Sequence, residues 1–188
     1  TYSGEGESGD LYLVEPYPDG MLVAVVDGVG HGIEAAKVAQ LAISILRCHA
    51  QKPVDELINY CHTGLRGTRG AVMALAAFNA RNRSMTWTGV GNVEGKLFSR
   101  SRSAAPLTLL SASGTLGQGQ AIEVHPFEVP IEMGDTLILA SDGVRSDFYL
   151  GLDVRQSPQQ LADLILARSA LRKDDAMVVV ARYAGQAI

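Results

Sequence analysis

Cysteine is scarce in this 188-residue chain, and neither Cys48 nor Cys61 falls into a CxxC or zinc-finger spacing. That excludes a disulfide-stapled scaffold and a thiolate zinc site. Both are read as reduced core residues on helical segments, with one disulfide between them left open. Lysine and arginine never cluster and the formal net charge is −4, so nucleic acid and an anionic membrane surface are poor partners on charge grounds. No apolar run approaches the roughly 20 residues that cross a bilayer. The start of the chain lacks a basic-then-apolar signal pattern, and a cytoplasmic protein is expected. A GxSxG elbow is absent, and the glycine-rich stretch 111–120 fits no phosphate-binding loop. Against these absences, 47% of residues are hydrophobic and 19% charged, ample material for a core. One domain over residues 1–188 is expected.

The chain is organised around Val25–Gly32, VVDGVGHG. The apolar run 22–26 reads as a strand and stops on Asp27-Gly28. The pattern returns at 137–141, which stops on Asp142-Gly143, and is inverted near the end, where Asp174-Asp175 precede the strand-like run 176–180. Asp10 opens another short strand, and Pro16-Tyr17-Pro18-Asp19-Gly20 is a turn, because proline presets φ and glycine tolerates positive φ. A hairpin centred on Pro18-Asp19 sets Asp10 opposite Asp27. Like charges so opposed are destabilising unless a cation sits between them. Oxygen ligands at strand ends favour Mg²⁺ or Mn²⁺ over zinc, and no paired histidines compete for that role. Glycine at 28 and 143 lets backbone approach a metal or its waters, and the Gly28 carbonyl is itself a candidate ligand.

From Gly32 to about Cys48 the polar residues Glu34, Lys37, Gln40, Ser44 and Arg47 form a narrow wet stripe on a mostly buried helix. A shorter helix is expected from Val54 to about Cys61, ending near Gly64. Residues 70–78, 85–90 and 95–99 read as a meander of antiparallel strands, followed by strands at 122–127 and 135–141. Ser157 and Pro158 open a helix to about Ala170 as N-cap and first position. Several strands are apolar on both faces, so each sheet needs two covers. The simplest solution is an α+β fold, a four-layer α/β/β/α sandwich of two antiparallel sheets flanked by helices.

Asp10 preceded by Ser8-Gly9, VVDGVGHG, RGAVMAL, the GVGN turn at Gly89–Asn92, LILASDGV and KDDAMVVVAR together resemble the metal-dependent serine/threonine protein phosphatases of the PPM family. The resemblance is narrowest to the bacterial branch acting on anti-anti-sigma-type proteins, and most like the stand-alone stressosome feedback phosphatases of sigma-B-type stress pathways. It implies two Mn²⁺ or Mg²⁺ ions between the sheets, activating a water that attacks phosphorus in line. By motif, Asp27 would bridge both metals, Gly28 would offer its carbonyl, Asp142 and Asp174 would complete the set, and Asp10 would act at the N-terminal edge. Asp174, directly after Lys173, fits the ligand place better than Asp175, with a slip of one residue left open. The implied partners are phosphorylated STAS-domain or stressosome proteins.

Two departures stand out. Eukaryotic members carry an arginine five residues before the first aspartate, where this chain has Glu5. They also carry a histidine directly after Asp-Gly, where this chain has Val29. His31 is weighed as a substitute acid against a structural role at a helix start. Arg66, Arg69 and Arg145 are candidate phosphate contacts because guanidinium suits bidentate phosphate binding. Ser141 and Ser146 flank Asp142 without a spaced histidine base, and His49, His62 and His125 receive no role. Two alternatives stay open: a broader-specificity PPM phosphatase, and a non-catalytic module of the same fold that binds phosphoprotein.

Overall fold

The computed structural model describes residues 6–101, 105–171 and 174–185. It opens with the expected hairpin. Strand β1 (Asp10–Tyr17) pairs antiparallel with β2 (Gly20–Gly28) across the two-residue turn Pro18-Asp19. Gly20 is required there because a Cβ would collide with the Phe78 carbonyl, which the Tyr17 hydroxyl also engages at 2.7 Å.

Helix α1 (Ile33–Cys48) follows, its expected polar stripe exposed and Ala35, Ala36, Val38, Ala39, Ala42, Ile43 and Leu46 buried. Cys48 is a correction. It is exposed, four residues after Ser44 and so on the same wet stripe, while Cys61 is buried; both are free thiols. Helix α2 (Val54–Gly64) runs alongside, with Pro53 at its N-cap.

Strands β3 (Ala71–Asn79) and β4 (Ser84–Val90) extend the first sheet, and β7 (Phe127–Pro130) closes it in the order β1-β2-β3-β4-β7. The second sheet runs β6-β5-β8-β9, from β5 (Glu94–Phe98), β6 (Leu107–Leu109), β8 (Thr136–Ala140) and β9 (Val178–Arg182). The expected meander is therefore wrong at its third strand, since β5 leaves β4 and joins the other sheet between β6 and β8. Gly95 on β5 makes the crossing possible, because a Cβ there would meet the Trp87 ring at 2.7 Å. Trp87 is fully buried between the sheets, with its indole N–H on the Leu110 carbonyl at 2.8 Å, an anchor worth about 3–5 kcal/mol against truncation to alanine. The expected strand at 122–127 is also corrected. Ile122 and Val124 pack on the first core without ladder bonds, and pairing begins only at Phe127, after Pro126, which has no N–H to donate.

Helix α3 (Pro158–Ser169) has the expected start. Ser157 Oγ accepts from Gln160 N and Gln160 Oε1 accepts from Ser157 N, at 3.3 and 3.1 Å, a capping box of the kind that fixes a helix entry.

Strand alternation sorts the core into three layers. Leu22, Ala24, Val26, Met73 and Leu75 pack against α1 and α2. Val23, Val25, Ala74, Ala76, Leu137 and Leu139 meet between the sheets. Ile138 and Ala140 pack with Ile165 of α3. The four-layer α/β/β/α sandwich is the observed architecture.

Candidate active site

Leu11 and Leu13 on β1 face the helices, as do Ala24 and Val26 on β2. By the same alternation Asp10 and Asp27 fall on the face turned to the second sheet, and they are direct Cα partners at one end of the hairpin. Asp10 is only 3% exposed and accepts from the Ser141 hydroxyl at 2.5 Å. Ser141 is buried just past β8. It also ties β9 in place, donating its N–H to the Met177 carbonyl at 3.0 Å and accepting from Met177 N at 2.9 Å. One serine thus joins the ends of both sheets.

Asp175 has a different job from its neighbour. Its carboxylate is 3% exposed and takes the Gly9 N–H at 2.7 Å, while the Gly9 carbonyl accepts from Gly28 N at 3.0 Å. Asp174 is exposed and accepts from Asp175 N at 2.8 Å. Asp142 is also exposed, one residue beyond Ser141, and accepts from Asn92 Nδ2 at 2.7 Å. Gly28 is pressed against the Ala35 backbone and Gly143 against the Asp175 carbonyl.

The carboxylates feel one another. Burial, then the charges of Asp10, Asp142, Asp174 and Asp175, push Asp27 up to about 8. Burial raises Asp10 to about 6, opposed by the Ser141 hydrogen bond and reinforced by Asp175, Asp142 and Asp174. Asp142 is raised by burial and by Asp174, while Asn92 pulls it down. Among the described residues, Asp10, Asp27, Asp142 and Asp174 have no lysine or arginine within salt-bridge distance. Such a donor set is all oxygen and all anionic, which fits Mg²⁺ or Mn²⁺ and not zinc. The groups are not closed on a common point: among the described residues no three acidic, histidine or cysteine side chains form a ready-made cage. Mg²⁺ is typically held by one or two carboxylates with the remaining positions filled by water.

The sign of the stability dependence follows. Asp27 and Asp10 hold protons in the metal-free fold that the unfolded chain gives up near pH 4, so the unfolded state binds fewer protons between about pH 4 and the raised values. Their stabilising protonation is complete below the unfolded value and is lost as pH rises through about 6 and then 8. In EDTA the melting temperature should fall steadily from pH 5 to pH 8. With saturating Mn²⁺ the trend should flatten or reverse, because ligands must be deprotonated to bind. A melting temperature that rises over this window in EDTA would contradict the carboxylate cluster.

Glu5 and Lys173, both weighed in the sequence, lie outside the described residues. Arg145 is spoken for, with two bonds to Asp147 at 3.0 and 2.6 Å. Sequence reasoning missed Asn92 and Ser141 as holders of Asp142 and Asp10. The only signal was position, Asn92 closing the GVGN turn and Ser141 preceding Asp142. His62 is buried in α2, with Nδ1 accepting from Gly117 N at 3.4 Å, away from the carboxylates.

Two facing antiparallel sheets with outer helices are the fold shared with the PPM, or PP2C, class of protein phosphatases, the class to which the family match assigns this chain. The serine/threonine phosphatase PstP/Ppp of Mycobacterium tuberculosis shares the fold at a TM-score of 0.70 with 16% identity, covering 96% of this chain and 94% of that one. Within the class, the family model for Stage II sporulation protein E (SpoIIE) matches residues 17–184, and the chain belongs to that family. The phosphoserine phosphatase RsbX of Bacillus subtilis (strain 168) is 29% identical over 176 residues, 91% of this chain and 86% of RsbX. A crystal structure of RsbX in complex with magnesium superposes at a TM-score of 0.83, with 25% identity, over 95% and 89% of the two chains. A chain from work on the bacterial stressosome, described as a modular system adapted to control secondary messenger signaling, reaches a TM-score of 0.86 with 31% identity over 96% and 94%. No described helix is long and apolar enough to cross a membrane. The chain is a protein phosphatase.

Proposed function

We propose that this chain, as one phosphatase domain over residues 1–188, is a cytoplasmic, Mn²⁺- or Mg²⁺-dependent phosphoserine/phosphothreonine protein phosphatase. Its substrates are phosphorylated STAS-domain or stressosome proteins, so that it resets a stress response. The observation that carries this reading is the facing pair Asp10 and Asp27 at a sheet end, with no lysine or arginine paired to either among the described residues. The likeness to the phosphoserine phosphatase RsbX supports phosphoserine as the substrate group, and the likeness to a chain from work on the bacterial stressosome supports the substrate class.

Two metal ions, when bound, supply an activated water and neutralise phosphoryl charge. The chain's own residues do the rest. Asp27, Asp142, Asp174 and the Gly28 carbonyl would hold the ions, and Asp10 would act at the N-terminal edge. Asn92 fixes the rotamer of Asp142 with its amide, and Ser141 holds Asp10 while leaving its other oxygen available. Of the two adjacent aspartates, Asp174 is assigned as ligand because it is open, and Asp175 as the anchor of Gly9. Such supporting contacts typically govern metal affinity by 10–100-fold.

The test is phosphate release from a phosphoserine-bearing STAS-domain protein in Mn²⁺, in EDTA, and after Mn²⁺ is restored. Release should vanish in EDTA and return with the metal. Undiminished release in EDTA would sink the metal-dependent reading, and binding without release in any metal would leave a phosphoprotein-binding module.

A further inference from the structure

The arginines that the sequence marked for phosphate are not equivalent in the fold. Arg145 is closed on Asp147. Arg69 is exposed and forms no ion pair with the described residues, although its backbone is held firmly. Its carbonyl accepts from Gln118 Nε2 at 2.5 Å. The next residue, Gly70, has φ 83° and lies against Leu116, with its own carbonyl accepting from Val29 N at 3.0 Å. Arg69 is therefore fastened to the loop that carries Gly28. Its guanidinium lies along that loop, since a Cβ built on Gly30 would sit 3.0 Å from Arg69 Nη1.

The head group opens into a cavity of about 640 Å³, shared with Glu7, His31, Ile33 and Glu34. Lys37 already occupies Glu34 at 2.8 Å and feels the charge of Glu7, so among the described lysines and arginines Arg69 is the cation of this rim with capacity left over. Beside it, Val29 and Ile33 are 38% and 55% exposed, apolar surface on the approach to the acidic end. The cavity that takes Arg69 is lined by Glu7, His31, Ile33 and Glu34 and by none of Asp10, Asp27, Asp142 and Asp174. That position suits contact with the protein around a phosphoresidue better than contact with the phosphoryl group.

We propose that Arg69 is a specificity residue that pairs with an acidic side chain flanking the phosphoserine of the substrate protein, with Val29 and Ile33 supplying the apolar part of the same rim. The proposal rests on the phosphatase reading above. A guanidinium is suited to this because its planar fork bonds a carboxylate at two points, and a rim pair acts mainly on encounter and binding.

Three substrates separate the possibilities: a phosphoserine peptide with glutamate flanks, the same peptide with alanine flanks, and p-nitrophenyl phosphate, all in Mn²⁺. Wild type should favour the glutamate-flanked peptide by about tenfold in kcat/KM, through KM, with the preference shrinking as salt rises. Arg69→Ala should erase that preference, and Arg69→Glu should favour a lysine-flanked peptide instead. Absence of a flank preference in wild type overturns the proposal. So does an equal loss by Arg69→Ala on all three substrates, which would put the arginine on the phosphoryl group. If wild type fails to hydrolyse even p-nitrophenyl phosphate in Mn²⁺, the phosphatase reading falls, independently of Arg69.

Discussion

Replacing Asp27 with asparagine should abolish Mn²⁺-dependent hydrolysis while making the metal-free protein more stable. The amide keeps the shape of the carboxylate and removes its charge. Activity depends on that charge to hold the metals, and kcat should drop on the order of a thousandfold or more. Stability responds oppositely, because in the metal-free fold the Asp27 charge is opposed by burial and by Asp10, Asp142, Asp174 and Asp175. At pH 8 in EDTA, Asp27→Asn should melt a few degrees above wild type, and its pH slope between 5 and 8 should be shallower. Mn²⁺ should then raise the wild-type melting temperature and leave the variant nearly unchanged. Thermal melts and phosphate release on the same samples decide the matter. A variant that melts below wild type in EDTA would mean the carboxylates are not crowded, and retained turnover would remove Asp27 from the centre.

The largest stability loss is expected from Gly143→Ala. An added Cβ would overlap the Asp175 carbonyl and crowd the Asp175 carbonyl carbon and Ala176 Cα, at 2.7 and 3.0 Å. These are backbone atoms and cannot rotate away. They are tied in from both sides, with Leu171 N bonded to the Gly143 carbonyl at 2.6 Å and Ser141 N to Met177 O at 3.0 Å. Overpacking of this kind costs about 3 kcal/mol, or roughly 6–12 °C in a chain of this size. Whatever relief the backbone finds must shift Asp174-Asp175 relative to Asp142, so activity should fall beyond the stability loss. Gly6→Ala is the matched control, since a Cβ there has nothing within 4 Å, and it should melt within about 1–2 °C of wild type. Equal melting of the two variants would show that the close approach at Gly143 is not real.

The facing of Asp10 and Asp27 was legible because a two-residue turn leaves one register for the hairpin, and register alone decides which residues oppose. The helix faces were legible for a similar reason: periodicity along α1 is a local property, although Cys48, expected in the core, is exposed, as are Ile33 and Leu41. The placement of β5 was not legible. Residues 91–93 between β4 and β5 look like any tight connection, and what sends the chain across is the fit of Trp87 against Gly95, two residues that meet only in three dimensions. Asn92 and Ser141 were hidden in the same way, since their partners lie 50 and 131 residues away. The role of Asp175 was hidden too, because adjacent aspartates are identical until burial separates them.

The bond between Gly9 and Asp175 spans 166 residues, and it sets a schedule for the chain's synthesis. A ribosome adding about 5–20 residues per second needs roughly 10–30 s to pass from one to the other. For most of that interval the first hairpin holds two opposed carboxylates without the Ser141 hydroxyl that bonds Asp10, and until its end without the Asp175 carboxylate that anchors Gly9. The acidic end of the fold is therefore incomplete until Asp174 and Asp175 have been made and the last strand has docked.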